Sequence, residues 1–176
     1  MKEKGLSSIT AYEGQVVSLR VETVEKPSGL RATREIVVHR DCIAAVVLDE
    51  SNNVVMVRQF RRPTGKILLE IPAGSVEPGE QPDGCVKREL QEEIGYLPGK
   101  IKKIGGFYSA PGYCTEYLHL YLATDLTKSH LVAEDTDEIE IVRVPISDVL
   151  KMIRNGEICD AKSVAGLLRV ILEEIR

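Results

Sequence analysis

The chain has no surplus of positive charge: its 176 residues carry 23 lysines and arginines against 27 aspartates and glutamates, a formal net charge of −4. A bulk polyanion partner such as nucleic acid is therefore not expected. Positive charge is locally dense only at Arg58, Arg61, Arg62 and Lys66. Cysteine is equally unpatterned. Cys42, Cys85, Cys114 and Cys159 show neither a CxxC pair nor a zinc spacing, and read as small, buried apolar residues in a reducing compartment. There is no apolar run of membrane-spanning length and no signal-peptide pattern, so the expected location is the cytoplasm, with no membrane partner. Repeats and low-complexity segments are absent. The length suffices for one domain with a full core.

Against that background one stretch stands out. Residues 74–96 read GSVEPGEQPDGCVKRELQEEIGY, in which Gly74, Glu80, Arg88, Glu89, Glu92, Glu93 and Gly95 form a spaced set. At residue frequencies of roughly 0.05–0.09 each, seven such matches arise by accident at about one in 10⁸–10⁹ starting positions. The spacing predicts a helix over Pro82–Ile94. Pro82 suits a first helical position, where its missing N–H costs nothing. Glu80 and Asp83 lie at the positive end of the helix dipole. Val86, Leu90 and Ile94 make an apolar stripe, and Gly95 can end the helix in a left-handed conformation. Glu89, Glu92 and Glu93 share one face. Three like charges there repel one another, and a hard divalent cation relieves that repulsion. Between Glu80 and Glu93 only Lys87 and Arg88 oppose five acids, so an ordinary solvated face of alternating ion pairs fits poorly. Arg88, one position from Glu89, is expected on a different face, orienting a loop or a carboxylate such as Glu92 or Glu80.

This pattern, G-x5-E-x7-R-E-U-x-E-E-x-G-U with U apolar, is identified as the Nudix box; only Tyr96 is less aliphatic than usual. More of the chain, from about Arg34 to Leu168, resembles the ADP-ribose pyrophosphatase branch. The likeness is carried by REIVVHRDCIAAVVL, VVMVRQFRRP, LLEIPAGSVEPGE, Pro111 in FYSAPGYCTEYLHLYLA, and DEIEIVRVPISDVLKMIRNGEICDAKSVAGLL. The resemblance implies an α/β fold: an α/β/α sandwich around a mixed sheet, preceded by an N-terminal β-hairpin or sheet segment. Residues 1–40 would form that segment and pack across a homodimer, with residues 41–176 as the Nudix domain.

The resemblance also implies Mg²⁺-dependent hydrolysis of ADP-ribose to AMP and ribose 5-phosphate. Mn²⁺ could substitute, and two or three ions would serve each site. Glu89 and Glu93 are the primary expected ligands, Glu92 a third, and the Ala73 carbonyl a fourth. The proton acceptor for the attacking water is expected in the acidic loop 133–138, with Glu138 first, then Asp137 and Glu134. Arg61 matches a phosphate-contacting arginine, and Glu70 a ligand-contacting glutamate; an internal salt bridge between the two is the alternative reading. Arg34, Glu35 and His39 lie where they could reach the adenine or the partner subunit. Other readings are a UDP- or GDP-sugar pyrophosphatase, a non-catalytic ADP-ribose-binding module, and an RNA-cap pyrophosphatase. The complete box opposes the second, and the acidic balance and Pro111 oppose the third.

A coarse pass predicts strands at 15–25, 32–39, 42–48, 54–60, 66–71, 101–107, 117–124 and 139–144. Residues 1–14 are weakly patterned, and 126–136 reads as a loop. Helices are expected at 147–154, capped by Ser147, and at 161–175, preceded by Asp160.

Overall fold

The computed structural model describes residues 2–132 and 139–174. Its contacts divide the chain into a first unit, residues 1–41 with 107–117, and a second, residues 42–106 with 118–176.

The first unit is built on a three-stranded antiparallel sheet in the order β1 (Lys4–Glu13), β2 (Ser18–Glu25), β3 (Arg31–Val38). β2 and β3 pair without interruption, whereas β1 meets β2 with two register shifts. Every residue of β1 is exposed, which is why its sequence carries no alternation to read. The segment 107–117 is tied to β3 by Val37 N–H on Tyr113 O at 2.7 Å and Thr115 N–H on Val37 O at 3.0 Å.

The second unit is a mixed sheet between helices. It holds β4 (Cys42–Leu48), β5 (Asn53–Arg61), β6 (Lys66–Glu70), β7 (Ala73–Ser75), α1 (Pro82–Glu93), β8 (Tyr96–Tyr108), β9 (Tyr117–Lys128), β10 (Glu140–Pro145), α2 (Ile146–Arg154) and α3 (Ala161–Glu174). The sheet runs β10-β5-β4-β9-β8, with β6 on β5 and β7 on β4. The β4–β9 pair is parallel; β4 with β5, β4 with β7, β5 with β6 and β5 with β10 are antiparallel. All seven residues of β4 are buried, because helices cover both faces. Ile43, Ala45 and Val47 pack with Cys85, Val86, Leu90 and Ile94 of α1. Val46 faces α3, where a Cβ on Gly166 would stand 3.2 Å from its Cγ2. A strand buried on both faces reads as a continuous apolar run.

β4 also positions the site. Only its last two residues pair with β5, while Cys42, Ile43 and Ala44 pair with β7. β5 therefore diverges from β4, and the strap Glu70–Gly74 enters the gap.

Three local expectations are corrected. Helix α2 begins one residue early: Pro145 takes the capping position, and no side chain caps it, so Ser147 lies inside the helix. Strand β8 starts at Tyr96, through Pro98 and Gly99; it is the last strand of the sheet, where a missing N–H is tolerated. Strand β9 continues to Lys128, into the segment expected as loop.

Candidate active site

Three polar or charged residues are buried among the described residues: Glu70, Glu89 and Ser163. All three converge on the strap 70–74. Glu70 belongs to it, Glu89 lies beneath Gly74, and the Ser163 hydroxyl accepts the Ile71 N–H at 2.9 Å. Burying polar groups is costly unless they are satisfied, so their clustering marks a built site.

Helix α1 delivers the acids. Its apolar stripe, buried against the sheet, fixes its rotation, and Gly95 follows with φ 73°. The Glu89 carboxylate occupies the space where a Cβ on residue 74 would be; glycine is needed there for close approach. Glu93 turns to the same strap and accepts the Ala73 N–H at 3.1 Å. Burial, and then the neighbouring charge of Glu89, push the Glu93 carboxyl up to about 8, with Arg61 and Lys162 acting the other way. Burial also raises Glu89, with Arg88 opposing it.

Arg88 is the counter-charge. It donates to Glu80 at 3.0 and 2.9 Å, Glu89 at 2.8 Å, Glu92 at 3.0 Å and the Ser75 carbonyl at 3.1 Å. The expected contacts with Glu80 and Glu92 are present. Arg88 also reaches Glu89, a contact not expected from its place on a different face: long side chains at neighbouring positions can meet at their tips. Glu80 in turn accepts the Glu77 N–H at 3.0 Å and fixes that loop; the Arg88 hydrogen bond holds its carboxyl below the usual range. With Arg88 holding Glu89 and Glu92, and Glu93 on Ala73, the three acids do not bring their oxygens within 4.8 Å of one another among the described residues.

Arg61 and Glu70 form the internal ion pair that was the alternative reading. Arg61 Nε lies 2.9 Å from Glu70 Oε2, and its Nη2 donates to the same oxygen. Lys162 Nζ reaches that oxygen at 2.9 Å and Asp160 at 2.9 Å. Lys162 is a site residue that the sequence does not announce: one lysine at the start of an amphipathic helix carries no signal until the fold places it beside a buried carboxylate. Arg61 keeps 37% of its side chain exposed, so it can meet a ligand without leaving Glu70.

Arg34, Glu35 and Pro111 lie in the first unit. Arg34 is paired with Glu3, Glu35 is exposed on β3, and Pro111 sits in an exposed turn closed by Tyr113 and Cys114 N–H groups on Ala110 O. Glu134, Asp137 and Glu138 lie outside the described residues.

The donor set suits a hard divalent cation. It offers carboxylate oxygens at Glu89, Glu92 and Glu93 and a backbone strap held close by a glycine. Burial is the first cause of the raised Glu93 carboxyl, and a cation beside it would favour the charged form.

Comparison with known proteins agrees. The NUDIX domain model matches residues 38–166. An ADP-ribose pyrophosphatase of Bacillus subtilis is 38% identical over 176 residues, covering 99% of this chain and 95% of the relative. A methanol dehydrogenase activator of Bacillus methanolicus is 36% identical over 175 residues, covering 98% and 95%. A crystal structure of an ADP compounds hydrolase superposes with a TM-score of 0.89 at 21% identity, covering 97% of this chain and 92% of its own; that likeness shows the shared fold. A family model that matches residues 38–166 and a relative 38% identical over nearly the whole chain show that this protein belongs to the Nudix family.

Proposed function

We propose that this protein hydrolyses the diphosphate of ADP-ribose to AMP and ribose 5-phosphate, with Mg²⁺ as its cation and Mn²⁺ as a substitute. The observation that carries the reading is that the acids Glu89 and Glu93 of α1 and the cations Arg61 and Lys162 all meet one strap, Glu70–Gly74. Such a site offers acids to cations and cations to phosphate oxygens. Ala73 (through its carbonyl), Glu89, Glu92 and Glu93 would hold two or three ions. When bound, these would neutralise the diphosphate oxygens and acidify a water.

The chain's own residues supply the rest. Arg88 holds and aims the Glu89 and Glu92 carboxylates. Glu70 orients the Arg61 guanidinium, whose planar fork suits paired phosphate oxygens. Glu138, or else Asp137 or Glu134, accepts the water's proton; kcat unchanged in Glu138→Gln would remove Glu138 from that role. Arg34, Glu35 and Pro111 are the further proposed substrate contacts. The exposed β1, with Ile9 and Tyr12 more than half exposed, is the proposed surface of a homodimer, for which light scattering at micromolar concentration should give twice the chain mass. We place the enzyme in the cytoplasm; all four cysteines are free, and no helix among the described residues is long and apolar enough to cross a membrane.

The test is turnover across ADP-ribose, UDP- and GDP-sugars and dinucleotides, with and without chelator. ADP-ribose should show the highest kcat/KM and release AMP. Higher kcat/KM on a GDP-sugar would reassign the substrate, and tight ADP-ribose binding without turnover would make the protein a binding module.

A further inference from the structure

We infer that Ser163 is a positioning residue for the metal site, acting through the strap rather than by touching a cation or substrate. The inference rests on Ala73, Glu89 and Glu93 being cation ligands. Pairing of β6 with β5 ends at Glu70, and pairing of β7 with β4 begins at Ala73. Ile71 and Pro72 bridge the gap with no ladder of their own. Pro72 has no N–H to give, and its carbonyl takes the Ala45 N–H at 3.0 Å. The Ile71 N–H, on a residue with no exposed surface, goes to Ser163 Oγ at 2.9 Å.

Helix α3 grips the strap at three positions. Lys162 holds the Glu70 carboxylate, Ser163 holds the Ile71 backbone, and Gly166 makes room for the Ile71 side chain, whose Cδ1 would lie 3.0 Å from an added Cβ. Asp160 fixes the first turn of the helix by accepting the Ser163 N–H at 3.1 Å. Ser163 has no exposed surface and sits among apolar neighbours on α3 such as Leu167 and Val170, where an alanine would pack without a polar group to satisfy. Its hydroxyl is accounted for by the strap alone. Two residues after Ile71 comes Ala73, whose N–H bonds Glu93 and whose carbonyl is a proposed ligand. The Ser163 hydroxyl thus sets the height of the strap over the box.

The experiment measures Mn²⁺ binding by electron paramagnetic resonance, in the full-length protein without substrate, for wild type, Ser163→Ala, Ser163→Thr and Val170→Ala. Val170 is equally buried on the same helix and serves as the packing control. Ser163→Ala should weaken Mn²⁺ binding about tenfold, the lower end for residues that orient metal ligands. Ser163→Thr keeps the hydroxyl and should stay within about twofold of wild type. Val170→Ala should lower Tm but leave Mn²⁺ affinity unchanged, and kcat of Ser163→Ala should recover as Mn²⁺ is raised. Wild-type affinity in Ser163→Ala overturns the inference, as does equal weakening in Val170→Ala or in Ser163→Thr. If the wild type itself binds no Mn²⁺, the metal assignment fails first, a result distinct from a loss confined to the Ser163 role.

Discussion

In metal-free protein, Glu93→Gln should remove a pH-dependent instability. The Glu93 carboxyl is raised from its ordinary 4.5 to about 8, first by burial and then by the charge of Glu89. A raised carboxyl means that the folded state holds the proton more tightly than the unfolded chain. The resulting stability is fully present below pH 4.5 and is lost as pH rises through about 8. At about 1.4 kcal/mol per pH unit, the loss amounts to roughly 3–5 kcal/mol. Glutamine resembles the protonated acid and keeps an acceptor for the Ala73 N–H, so the variant should match wild type near pH 5 and exceed it by about that amount near pH 9. Urea unfolding in EDTA at both pH values reads the difference directly, and subtracting the two proteins cancels the other titrating groups. Adding Mg²⁺ near neutral pH should stabilise the wild type more than the variant, since the variant has lost one carboxylate ligand. A wild type no more sensitive to pH than Glu93→Gln would refute the account of Glu93 as a charge buried for a cation.

Gly74→Ala puts a methyl group where the Glu89 carboxylate lies; kcat should fall about 100-fold, the cost of misplacing a ligand by an ångström, while circular dichroism stays native. Glu70→Gln removes the charge that Arg61 and Lys162 share. It should cost roughly 2–3 kcal/mol in urea unfolding and raise KM, because Arg61 loses its orientation; an unchanged KM would show that Glu70 does not set the guanidinium.

Much of the site was legible because its chemistry is local. The box spacing is a helix spacing, so Glu89 and Glu93 could be placed on one face, and Val86, Leu90 and Ile94 on the buried side, before any coordinates. β4 was readable to the residue because burial on both faces demands the run CIAAVVL. The unread parts depend on contacts distant in sequence. β1 is exposed along its whole length and has no periodicity to show. β7 is three residues of Ala-Gly-Ser, defined only by the β4 backbone it joins. Lys162 and Ser163 gain meaning only when α3 packs on a strap some 92 positions earlier in the chain. The meeting of Arg88 with Glu89 was not expected because Cα directions say little about where two long side chains end.

The central claim is that the acids beneath Gly74 serve a cation that turns over a nucleoside diphosphate sugar. The most direct measurement is steady-state release of AMP from ADP-ribose by wild type and Glu93→Gln, each with Mg²⁺ and with EDTA. The account predicts turnover only for wild type with Mg²⁺, and a loss of about 10²-fold or more in Glu93→Gln. Equal AMP release by wild type in EDTA, or by Glu93→Gln in Mg²⁺, would contradict it.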